Sequence, residues 1–160
     1  MKKSISINLS MSEIIYDIQN KTYLTGRSIG DKSSAPHVAN MQANDDDENE
    51  AQVLRSVTMA ISLLRNRLAE YLDNSDVNVN NEPYKPGEEV SFTLYMPSNF
   101  NGSVSKVLGQ AAHQFIVASA IADWFAITAR GETADYTVSA QEALRAIEEA
   151  LCKRNRPVRG

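Results

Sequence analysis

Three side chains in the second half of the chain have the chemistry of catalytic groups: His113, Asp123 and Cys152. A histidine exchanges protons near neutral pH, a carboxylate in an apolar stretch can act as an acid or base, and a thiolate is a nucleophile. We expect His113 and Cys152 to be packing residues, and Asp123 to have a structural partner such as Arg130 or an indole N–H. A small enzyme or regulatory binding module that uses the three residues is the alternative.

No nucleotide-binding glycine motif, hydrolase serine elbow or zinc-protease motif occurs in the chain, and we expect no cofactor. The acidic run Asp45-Asp46-Asp47-Glu48-Asn49-Glu50 superficially resembles a calcium loop. Glu50 stands where the required turn glycine should be, and Ser56 stands where a bidentate Glu should be. The run is more typical of a helix start, where carboxylates interact favourably with the dipole, or of a charged contact surface.

The last eight residues carry four positive charges, on Lys153, Arg154, Arg156 and Arg159. Such a basic tail, 153–160, is either a solvated terminus or an arm that reaches an acidic partner. A neighbouring subunit's Asp45 to Glu50 cluster and nucleic acid are both candidates. One chain that carries both charges suits head-to-tail assembly into a ring.

Composition bounds the remaining possibilities. The chain has 160 residues, 42% of them hydrophobic, and a net charge of −4. That length and apolar content predict a single domain over residues 1–160, and the acidic balance argues against a sequence-specific nucleic-acid reader. One cysteine excludes an intrachain disulfide and favours a reducing compartment. We expect no signal peptide, since residues 4–10 alternate like a strand, and no membrane span.

Hydrophobic periodicity predicts a mainly α fold of three long helices and a short N-terminal helix, with a small β element. The β element consists of an N-terminal strand and a second strand near 90–96, with Val77 and Val79 as possible partners. The short helix should cover Ser12 to Asn20, with an extended loop at 27–44. The first long helix begins in the acidic run, and its apolar seam consists of Leu54, Val57, Ile61, Leu64, Leu68 and Tyr71.

The segment 73–101 is rich in Asn, Pro and Gly and is expected to be a loop and β insertion. A central helix should follow from Val104 to Ala129, ended by a left-handed Gly131, and a last helix should cover Thr133 to Arg154. The expected core consists of Leu54, Leu64, Phe115, Trp124, Phe125 and Leu144.

The chain resembles structural-module proteins of tailed phages and prophages of Bacteroides-group bacteria, in particular head–tail connector ring proteins of crAss-like phages. The resemblance extends over nearly the whole chain. It is carried by Asn20-Lys21-Thr22-Tyr23-Leu24-Thr25-Gly26, the acidic helix start, Ala122-Asp123-Trp124-Phe125-Ala126-Ile127-Thr128, Ala134-Asp135-Tyr136 and Lys153-Arg154-Asn155-Arg156-Pro157-Val158-Arg159.

This resemblance implies a virion protein that is made in the host cytoplasm, forms a homo-oligomeric ring in the neck and contacts the portal and adjacent neck or tail proteins. Double-stranded DNA would pass without specific binding, because an acidic lumen repels phosphate. Another tail component, such as a completion or terminator protein, is the structural alternative. The residues expected to contact partners are Tyr23, Gly26, Asp45, Asp46, Asp47, Phe92, Leu94, Arg154, Arg156 and Arg159.

Overall fold

The computed structural model describes residues 3–30, 42–43, 47–72 and 82–157. It confirms the predicted fold class, mainly α with a small β element. In chain order the elements are β1 (Lys3–Ser10), α1 (Met11–Gly30), α2 (Asp47–Arg67), β2 (Glu89–Met96), α3 (Ser105–Thr128) and α4 (Thr133–Leu151).

The two strands form an antiparallel sheet in which Ile7 lies opposite Phe92. Alternation places the apolar row of each strand on one face, where it joins the core, and leaves the other face in solvent. On the solvent face the Ser91 hydroxyl donates to Asn8 Oδ1 at 2.8 Å. The partner of β2 is therefore β1, whereas Val77 and Val79 lie outside the described residues. The strand within 73–101 contributes Val90, Phe92, Leu94 and Met96 to the core.

Helix α1 continues ten residues beyond the predicted end at Asn20, through Gly26 to Gly30. Tertiary contacts stabilise this extension. The buried Thr22 hydroxyl donates to the Ile18 carbonyl at 2.8 Å and accepts the Ala43 N–H at 3.0 Å. The predicted loop at 27–44 is thus helical over its first four residues, and most of its remainder lies outside the described part of the chain.

Helix α3 is the central element, as predicted, and α1, α2 and α4 all pack against it. The start of α3 lies beside the end of α4, where the Asn101 N–H donates to the Lys153 carbonyl at 3.1 Å. Arg67 at the end of α2 lies 3.4 Å from Glu148 near the end of α4. Consequently α2 and α4 are both antiparallel to α3 and parallel to each other.

The core prediction is confirmed for Leu64, Phe115, Trp124 and Phe125, which are buried. Leu54 and Leu144 are only partly buried and pack at its edge. None of the described helices has the length and apolarity needed to cross a membrane.

Two predicted helix ends are corrected by the structure. No glycine among the described residues has a positive φ, so Gly131 is not a left-handed cap. Instead α3 ends where Ala129 adopts φ −156 and ψ 74, and a single 3-10 turn leads into α4. Helix α4 ends at Leu151 and not at Arg154. The Arg154 guanidinium turns back and donates to the Leu151 carbonyl at 2.7 Å, a carbonyl that the helix end leaves without an intrahelical partner.

Candidate functional site

A cleft of about 280 Å³ opens where α1, α3 and α4 meet. A hydrogen bond of 2.7 Å joins Thr25 Oγ1 on α1 to the Tyr136 hydroxyl on α4 at its wall. The Tyr136 ring also contacts Phe125 of α3, with the ring centroids 5.4 Å apart. Three separate segments that carried the resemblance thus meet at one place. Because these contacts hold helices together, their residue types are explained by packing.

The cleft continues into a shallower depression of about 360 Å³ between α3 and α4, since Gln114 and Ser139 line both. We call this continuous depression the α3/α4 groove. Small residues form its floor, among them Ala111 and Ala143, and Glu142 lies on its rim. Lys21 lies at its other end, in the cleft. A groove of this shape, with small residues below and polar residues at the rim, can accept side chains of another helix.

The three residues with catalytic chemistry are not brought together. His113 Nε2 lies 2.6 Å from Asp17 Oδ2 and ties α3 to α1. Asp123 is ten residues further along α3, about 15 Å by helical rise, on another part of its circumference. Cys152 is an exposed free thiol at the end of α4. The arrangement provides no nucleophile beside a base.

The Ser56 hydroxyl, on a buried residue of α2, is a partner of Asp123 that sequence reasoning did not name. Asp123 itself is exposed, but the surrounding helices displace part of the water from its carboxylate. This desolvation raises the pKa of Asp123 above its ordinary 3.8, and the hydrogen bond from Ser56 opposes the rise. The residue therefore joins α2 to α3.

The predicted contact residues on α1 and β2 differ in their exposure to solvent. Tyr23 is exposed on α1 and available to a partner. Gly26 is buried within the same helix. Phe92 and Leu94 are fully buried in the core, which corrects the prediction that their side chains contact a neighbour. Arg65 also covers the Phe92 ring, its guanidinium carbon lying 4.7 Å from the centroid.

The charged ends are described only in part. Asp45 and Asp46 lie outside the described residues, and Asp47 is the first residue of α2. At the other end, Asn155 N–H donates to the Asn99 carbonyl at 2.7 Å. The predicted free arm therefore begins after this attachment, with exposed Arg156. Arg159 lies outside the described residues.

Sequence reasoning missed an exposed apolar pair on α2, Met59 and Leu63, whose exposures are 60% and 52%. With Arg55 they form one row at a spacing of four residues, which we call the α2 ridge. A signal was present in the sequence. These two apolar residues fall outside the seam that begins at Leu54 and Val57, so packing against this chain's own core does not account for them.

Within the described ranges, no group of three or more His, Cys, Asp or Glu side chains could hold a metal ion. Comparison with protein-family models, curated proteins and solved structures finds no match to this chain.

Proposed function

We propose that this chain is a structural protein of a phage virion, a subunit of a ring that connects head to tail and lets the genome pass. Its activity is binding to copies of itself and to the portal and adjacent neck or tail proteins. The order of sequence segments that resembles connector proteins supports the proposal, as does the net charge of −4, which keeps passing DNA from adhering.

One structural observation carries the proposal: large apolar side chains stay exposed on all four helices and on β2, around a well-filled core, with several of them on α1 and α2. Tyr16, Tyr23 and Leu24 are exposed on α1, and Met59 and Leu63 on α2. The core beneath them contains fully buried phenylalanines from both the sheet and α3. Exposed apolar groups that lie next to one another, as Tyr23 with Leu24 and Met59 with Leu63 do, commonly mark protein interaction surfaces.

The test is peptide mass spectrometry on purified, nuclease-treated particles of a phage that encodes the chain. We expect the chain in the particles at a ratio to the portal protein that fits one ring or a small number of rings. A ratio that instead matches the tail tip or tail terminus would assign it to a tail completion or terminator protein. Absence from the particles would overturn the virion proposal and favour an enzyme or regulator.

A further inference from the structure

We propose that the α2 ridge of one copy docks in the α3/α4 groove of the next copy, and that this contact builds the ring. The inference rests on the proposed function for its setting, because it names the partner as a second copy of this chain. Its geometry comes from the described helices alone.

The ridge and the groove lie on opposite sides of the central helix. Gln114 of α3 lines the groove, whereas Asp123 of α3 bonds to Ser56 on α2. Nine residues, about two and a half turns, separate Gln114 from Asp123, so they point in nearly opposite directions. A surface and its complement on opposite sides of one subunit make a heterologous, head-to-tail contact, which closes into a ring when the rotation allows.

The shapes of the two surfaces agree. The ridge is a row of side chains four residues apart on one exposed side of α2, and a row of this kind can lie lengthwise in a depression between two helices. The groove has an apolar end, lined by Val107, Ala143 and Ala146, that can receive Met59 and Leu63. Small side chains on its floor let another helix approach closely.

The charges agree in the same alignment. When Arg55 of one copy is placed opposite Glu142 of the next, Met59 lies opposite Ala146. Met59 is four residues after Arg55, Ala146 is four residues after Glu142, and the two helices are parallel in this alignment. Toward the start of α2, Glu48 lies seven residues before Arg55, about 10 Å by helical rise. This displacement brings Glu48 toward Lys21, which lies at the cleft end of the groove. None of these four charged side chains forms an ion pair with another described residue.

The required helix direction also suits a ring. This alignment runs α2 of one copy parallel to α4 of the next. Within one copy α2 and α4 are already parallel, as the contact between Arg67 and Glu148 near their ends shows. Rotation about an axis along the helices therefore carries one copy onto the next without reversing it.

Charge exchange tests the pairing. Sedimentation velocity over a concentration series should show self-association of the wild-type protein. Arg55→Glu and Glu142→Arg should each raise the dissociation constant about tenfold, and the double variant should return it to within about threefold of wild type. Since the two residues lie on opposite sides of one copy, such rescue can arise only between copies. Glu89→Arg, an equal charge change on β2, is the matched control and should have no effect.

Disulfide trapping tests the register. In a Cys152→Ser background, Met59→Cys combined with Ala146→Cys should give a ladder of covalent oligomers on oxidation. Tyr95→Cys combined with Ala146→Cys should give none, because Tyr95 lies on β2 away from the ridge. Each single-cysteine variant should yield at most a dimer.

A wild-type protein that stays monomeric, double-variant association no better than that of the single variants, or a missing ladder would each overturn the inference. None of these results would remove the chain from the virion, since particle composition tests that proposal separately. Conversely, rescue and a ladder in a protein absent from particles would establish the contact and overturn the connector role.

Discussion

The Thr25 hydroxyl and the Tyr136 hydroxyl lie 2.7 Å apart. The two residues are 111 positions apart in the chain, and their contact joins α1 to α4. Thr25 already donates its proton to the Lys21 carbonyl at 2.8 Å, so the Tyr136 O–H must be the donor in this bond. One tyrosine thus fastens the second half of α1, the part that sequence periodicity did not predict, to the start of α4.

Removing the Tyr136 hydroxyl should weaken the attachment of α1 to α4 and leave the aromatic side chain of residue 136 in place. Tyr136→Phe should lower the free energy of unfolding by about 1 kcal/mol, because one partly buried hydrogen bond is lost. Tyr136→Ala should cost more, since it also removes the contact with Phe125. Urea denaturation measures both, and equal losses for the two variants would contradict this account.

The pair His113 and Asp17 should stabilise the contact between α1 and α3. Each single change, His113→Ala or Asp17→Ala, should lower the free energy of unfolding by about 1–3 kcal/mol at pH 6. The double variant should lose less than the sum of the two, because the 2.6 Å contact is shared. Strict additivity in this cycle would show that the contact contributes nothing.

The arginines at the end of the chain should separate into two roles. Arg154→Ala should lower the free energy of unfolding by about 1 kcal/mol, since its guanidinium bonds the carbonyls of Leu151 and Lys153 at the end of α4. Arg156→Ser with Arg159→Ser should leave that free energy unchanged but weaken binding to an acidic partner or ring. Thermal denaturation and particle assembly assays measure the two effects. A deletion from Arg154 onward would change stability and binding together and could not separate the two roles.

The raised pKa of the Asp123 carboxyl should make the stability of the protein depend on pH. Its pKa is raised in the folded protein, so the folded state binds more protons than the unfolded state between the ordinary 3.8 and the raised value. The free energy of unfolding should therefore fall as pH rises through that window and stay lower above it. The effect is small because the side chain is exposed. Asp123→Asn, which can still accept from Ser56, should abolish this component when denaturation is measured from pH 3 to 8.

Two residues on opposite faces of β2 should differ in the stability that they lose on truncation. Phe92→Ala should lower the free energy of unfolding by about 3–5 kcal/mol, because it leaves a cavity in the core. Tyr95→Ala on the exposed face should change it by no more than about 0.5 kcal/mol. Chemical denaturation of both variants would show whether Phe92 serves the fold, and a mild Phe92 variant would reopen its role as a contact residue.

Local patterning was sufficient for most elements. The alternation of Ile5, Ile7 and Leu9 predicted β1, and apolar residues over more than half the circumference of Val104 to Ala129 predicted a central helix. These patterns are readable because an element that buries one face must repeat its apolar residues with its own geometric period. The buried positions Val57, Ile61 and Leu64 of α2 were predictable for the same reason. Leu68 and Tyr71, which the predicted seam also included, lie in the turn that follows the end of α2 at Arg67.

Contacts between distant segments decided the rest. The length of α1 depends on Thr22 meeting Ala43 and on Thr25 meeting Tyr136, and nothing near Asn20 signals either contact. The ends of α3 and α4, the pairing of β2 with β1 and the meeting of Ser56 with Asp123 were likewise outside local reach. The α3/α4 groove exists only once two helices are packed. The periodicity of apolar residues indicates which side of a segment is buried. Which other segment packs against that side depends on the free energy of packing, which involves residues far away in the sequence.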